Sequence, residues 1–139
     1  MFANLQTFVG ASLRSVEKRD YSWVFRFGEP LLIMTESAWR LVTSEKVVVA
    51  ADDDGQKFGL PQPVDASECV LSRLATLAIK SASVDDLTGD LLLYFSDSIY
   101  LQFLQLSAGY ESWRAFTSLG ETICTGGGGL VFVAAGKDR

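Results

Sequence analysis

Two arginines stand directly after tryptophans, in Trp39-Arg40 and Trp113-Arg114. Adjacent residues on a strand point to opposite faces, so burying each tryptophan turns its arginine outward. Two such guanidinium groups could clamp one acidic group through bidentate hydrogen bonds. They could equally pair with Glu36, Glu45, Glu111 or Glu121, or cover an aromatic face. Carboxylates offer a second chemistry. Asp85 and Asp86 are adjacent, with Asp90 and Asp97 close in sequence, and Glu111 follows Tyr110. Paired carboxylates can do acid/base work if they converge, and otherwise they mark solvated turns. Arg40, Arg114, Asp85, Asp86, Tyr110 and Glu111 are the candidate ligand- or partner-binding residues.

Other chemistries lack their residues. The 139-residue chain has no histidine, which removes the commonest general base near neutral pH and the commonest metal ligand. Ser-His-Asp and Cys-His arrangements cannot be assembled within it. Cys69 and Cys124 form no CxxC pair and read as reduced, hydrophobic cysteines. Asp52-Asp53-Asp54-Gly55 lacks the alternating ligands of a calcium loop and reads as a hairpin turn. Gly126 to Gly129 lead into the apolar Leu130-Val-Phe-Val133 and not into Gly-Lys-Ser/Thr and a helix. A wide connection to a final strand is the expectation there. No catalytic residue, metal ligand or cofactor is assigned.

With 12 basic and 17 acidic residues the net charge is −5. Residues 1–64 carry 7 basic and 8 acidic side chains, whereas 65–139 carry 5 and 9. Nucleic-acid affinity rests on neutralising phosphates, so no nucleic-acid partner is expected. No apolar run reaches the roughly 20 residues of a membrane helix. A cytoplasmic location is the default, and a homodimer or a protein partner is expected.

The elements that must position these residues show an internal pattern. Residues 5, 8 and 13 match 71, 74 and 79 at an offset of 66, apolar to apolar. Trp23-Val-Phe-Arg-Phe27 matches Leu91-Leu-Leu-Tyr-Phe95 at an offset of 68. Trp39-Arg-Leu-Val-Thr-Ser44 matches Trp113-Arg-Ala-Phe-Thr-Ser118 at an offset of 74. The growing offset places insertions near Leu87-Thr-Gly89 and Ser107-Ala-Gly109. Ala66 to Thr76 has helical apolar spacing with Asp65 or Ser67 as cap, and Ala3 to Val9 is a shorter helix. Strand-like runs come after each helix, and their aromatics at period two read as packing and not as a ligand platform. The expectation is one domain, 1–139, of α+β class. Two related helix-plus-antiparallel-meander halves, about 3–60 and 65–133, would form a curved sheet or partly open barrel.

Tyr110-Glu-Ser-Trp113, then Gly120-Glu-Thr-Ile123, then the glycine run before Leu130 resemble the ending of a family of small bacterial β-rich proteins of unassigned activity. The resemblance covers about residues 75–133. It implies a bacterial β-rich domain and carries over no catalytic residue. The functional expectation is a non-enzymatic interaction protein, in one concrete form a toxin-neutralising immunity protein whose acidic surface masks a basic one. The alternatives are a small-molecule or anion binder with a cleft between the halves, and a carboxylate-based hydrolase using residues such as Asp85 and Glu111.

Overall fold

The computed structural model describes residues 2–136. Its first helix, α1 (Phe2–Gln6), precedes five strands: β1 (Ser15–Lys18), β2 (Trp23–Arg26), β3 (Leu32–Thr35), β4 (Trp39–Val42) and β5 (Val47–Ala50). After α2 (Ala66–Leu74) come β6 (Ser81–Val84), β7 (Leu91–Ser96), β8 (Ile99–Phe103), β9 (Trp113–Thr117), β10 (Gly120–Cys124) and β11 (Leu130–Ala134). The strands sort into two antiparallel sheets, β1-β2-β3-β9-β10-β11 and β5-β4-β8-β7-β6. The expected antiparallel-sheet architecture is present as two open sheets packed face to face, and because neither closes on itself the partly open barrel is not formed. The physical reason lies in the connections. Three residues after β3 carry the chain to β4 in the other sheet, and residues 104–112 carry it back from β8 to β9.

Alternation along the strands decides what lies between the sheets. Trp23, Phe25, Ile33, Trp113 and Ala115 point inward from the first sheet, and Trp39, Leu41, Leu91, Leu93, Leu101 and Phe103 from the second. Phe25 meets Trp39 and Phe103 edge-on at centroid separations of 5.2 and 5.0 Å, and Trp23 meets Trp39 at 5.0 Å. Such pairs add roughly 0.5–1.5 kcal/mol each beyond their buried area. The aromatics are therefore the seam between the sheets.

The helices plug the sides of the sandwich. Asp65 caps α2, its side chain accepting the Glu68 amide at 3.0 Å, and Val70 and Leu74 are buried. α2 packs against β1 and β5, and α1 against β6, β9 and β10. Asn4 anchors α1 by donating to Thr122 Oγ1 at 2.7 Å and to the Ala115 carbonyl at 3.3 Å, while the Thr117 hydroxyl donates to its Oδ1. The Asp52–Gly55 run is not a hairpin turn. Asp53 accepts the Ala50 amide and Asp54 the Ala66 amide, and Gly55 begins a loop that exchanges backbone bonds with Val64. These aspartates tie β5 to the start of α2. Among the described residues no helix is long and apolar enough to cross a membrane.

Candidate functional site

The two crossings between the sheets run side by side. The Leu104 amide donates to Ala38 O at 2.9 Å and the Glu36 amide to Ser112 O at 3.3 Å. Between them opens a groove of about 570 Å³ lined by Glu36 and Ser37 from the short crossing and by Gln105, Leu106, Tyr110 and Glu111 among others from the long one. A smaller hollow continues it past Met34, Ser112 and Arg114. Tyr110 is 82% exposed and Leu106 71%, a large apolar and aromatic presence for a loop.

This loop is exposed yet held firmly. Gln105 reaches from its base, its Nε2 donating to Thr125 O at 2.7 Å and Tyr110 O at 3.0 Å while its Oε1 accepts the Ser107 amide at 2.8 Å. The Ser107 hydroxyl accepts the amides of Gly109 and Tyr110. Below it sits the glycine run. A Cβ at Gly126 would come within 2.5 Å of the Gly109 backbone, and one at Gly128 within 2.4 Å of Thr88 O. Three loops thus meet backbone to backbone, which only glycine permits. Gly89, in the third of them, offers its carbonyl to Trp113 Nε1 at 2.9 Å. The glycines are a joint that seats the groove loop, and no phosphate cradle forms, because they lead into a strand and not into a helix.

Tyr110, Glu111 and Arg114 come together at this groove. The Arg114 guanidinium reaches Glu111 at 2.7 Å and Glu121 at 3.3 Å, and the hydrogen bond to Glu111 raises its pKa above the usual arginine value. With two carboxylates on it, Arg114 has little charge left for an anion. Arg40 lies elsewhere. It is on the outer face of the second sheet, its Nε donating to Gln102 at 2.9 Å, and Gln102 in turn donates to Asp90. Trp39 and Trp113 both point into the seam, so the two arginines project from opposite sides of the sandwich. A shared clamp in a cleft between halves is thereby corrected.

Asp85 and Asp86 do not line the groove either. Asp85 accepts the amides of Leu87 and Thr88 at 2.9 Å, and these bonds, Thr88 first, hold its carboxyl below the ordinary value. It builds the turn that Gly128 packs against. Asp86 is exposed beside it. The sequence pointed to Glu36 only as a possible arginine partner and not to Gln105 or Leu106. The usable signal was the insertion at Ser107-Ala-Gly109, since extra residues in a crossing must go somewhere and here they form the groove wall. Glu36 has no cationic partner among the described residues. No family model, curated protein sequence or solved structure matches the chain.

Proposed function

We propose that this protein is a non-enzymatic interaction protein that captures a basic side chain or loop of a partner in the groove between the two crossings. The observation that carries the reading is the placement of Glu36, which has no cationic partner among the described residues, beside exposed Tyr110 and Leu106. Carboxylates select the cation, and an aromatic and an aliphatic surface bury its alkyl stem. A net charge of −5 steers a basic partner toward it. An immunity-type protein masking a basic toxin surface fits this chemistry. The anion-binding reading is disfavoured by the separation of Arg40 from Arg114. The hydrolase reading is disfavoured because Asp85 serves its turn while Glu111 serves Arg114.

A fluorescein-labelled, arginine-rich peptide tests this by anisotropy. Binding should weaken at least about tenfold in Glu36→Lys and in Tyr110→Ala and fall with rising salt. Asp97→Lys, an equal change of net charge at an exposed turn, should leave it within about twofold. Equal losses in Glu36→Lys and Asp97→Lys would show charge attraction without a site, and the proposal would fail.

We also infer that the chain is a duplication of about 3–60 and 65–133. Each sheet takes a three-strand meander from one part and a hairpin from the other, β1-β2-β3 with β9-β10 and β6-β7-β8 with β5-β4, and the first sheet adds β11, which has no counterpart in the first part. The isolated bridge Ser12↔Ala78 joins two residues that are equivalent at the offset of 66. A chain of two tandem copies of 65–133 should fold cooperatively as β-sheet, and one that stays unfolded overturns the inference.

A further inference from the structure

Each open sheet has two edges, and three of the four are blunted. β1 carries Glu17 and Lys18 and lies against α2. β5 is bulged against β4 between Leu41 and Val42 and also lies against α2. β6 presents Ser81 and Ser83 to solvent and lies against α1. Charges, bulges and covering helices are the ordinary devices that keep an edge strand from pairing with another chain. Among the described residues β11 has none of them. Its sequence, Leu130-Val-Phe-Val-Ala134, holds no charge and no proline, and Val131, Phe132 and Val133 are 46, 37 and 38% exposed.

The ladder with β10 fixes which backbone groups are free. Thr125 N donates to Gly129 O and Ala135 N to Leu119 O, so Gly129, Val131, Val133 and Ala135 turn their amides and carbonyls toward β10. Leu130, Phe132 and Ala134 turn theirs outward along the edge. We propose that β11 pairs antiparallel with β11 of a second copy, about a two-fold axis at Phe132, joining the two six-stranded sheets into one.

The occupant is a second copy because the strand complements itself. With Phe132 opposite Phe132 of the partner subunit, Leu130 faces the partner's Ala134 and each of these pairs exchanges two backbone hydrogen bonds. Val131 falls opposite the partner's Val133, continuing the apolar row of Ile123 and Val131 across the axis without placing like charges together. On the other face an open hollow of about 240 Å³, lined by Ala3, Asn4, Leu119 and Phe132, lies beside the strand. A cavity of about 150 Å³ holds benzene, so this one has room for a phenyl ring such as the partner's Phe132.

Sedimentation equilibrium on the full chain, from about 1 to 100 µM, tests the assignment. The wild type should form a dimer. Val131→Lys puts a charge against the seam, and Ala134→Pro removes an amide that faces only the edge, so both variants should keep the wild-type circular dichroism yet dissociate at least about tenfold more readily. Rising salt should strengthen the dimer, because it screens two copies of −5 each, whereas it weakens capture of a basic peptide. A wild type that stays monomeric throughout overturns the proposal. So does a dimer that persists in both variants, and so does a monomer that binds a foreign extended peptide at β11.

Discussion

Trp39 and Trp113 occupy corresponding places on β4 and β9, are equally buried, and differ in one bond. Trp113 Nε1 donates to Gly89 O at 2.9 Å, whereas Trp39 Nε1 is buried with no partner. Replacing each by phenylalanine removes the same atoms. The lost packing should cost a fraction of the ~3–5 kcal/mol seen for full truncation of an aromatic, roughly 1–2 kcal/mol at either site. At position 113 the bond itself is also lost, worth about 1 kcal/mol. Gly89 O then keeps only the weak Cys124 thiol donor at 3.4 Å, which adds up to about 1–2 kcal/mol of unmet desolvation. At position 39 the substitution removes an orphaned donor and recovers about 1–3 kcal/mol. Trp113→Phe should therefore destabilise by about 2–4 kcal/mol, with Trp39→Phe close to neutral.

Urea unfolding followed by far-ultraviolet circular dichroism measures this without relying on the altered tryptophans. With a slope of roughly 1–3 kcal/mol/M the two midpoints should stand about 1 M or more apart. Trp113→Phe should also speed amide exchange in residues 105–111, because Gly89 sits in the joint beneath that loop. Equal midpoint shifts in the two variants would refute the reasoning, since the packing loss is common to both and only the hydrogen bond separates them.

Three further outcomes rest on single contacts. Asn4→Ala should cost about 2–4 kcal/mol in the same assay, because Thr117 and Thr122 are buried and lose their partner. Asp85, with its folded pKa held below 3.8, lends stability that is present above that value and lost as pH falls through the folded one. Asp85→Asn should accordingly flatten the loss of unfolding midpoint below about pH 4, and an unchanged acid limb would count against the turn. Burial pushes the Cys124 thiol up, while Cys69 is only half-buried. Iodoacetamide near neutral pH should therefore label Cys69 in the native protein and Cys124 only in urea, as peptide mapping would show.

Much of the strand layout was legible because period-two aromatics and turn residues announce themselves locally. Trp23, Phe25 and Phe27 share a face from sequence alone, and all three are buried. The sheet that each strand joins was not legible. Nothing in Glu36-Ser-Ala38 distinguishes a tight turn within one sheet from a crossing between two, because that choice rests on long-range pairing of β3 with β9. The same gap misplaced Arg40, whose outward direction was readable while the face it shares was not. Tyr110, Glu111 and Arg114 were accessible as one segment of chain. Glu36 was not, since its place beside them depends on the crossings lying together.

That juxtaposition also explains why the long crossing supplies most of the groove wall. The two crossings correspond in position but not in length, three residues against nine. The short one spans the gap with no slack, its Thr35 hydroxyl accepting the Ser37 amide at 3.1 Å. The long one has residues to spare, and an unsupported excess would remain mobile. Backbone packing at Gly109, Gly126, Gly128 and Gly89 removes that freedom without using the side chains of Leu106, Tyr110 or Glu111. Leu106 and Tyr110 are left facing solvent on a fixed base, with Glu111 held on Arg114 beside them. Substituting them should change what the groove recognises while barely moving the unfolding midpoint, whereas Gly126→Ala should lower the midpoint and blur recognition together.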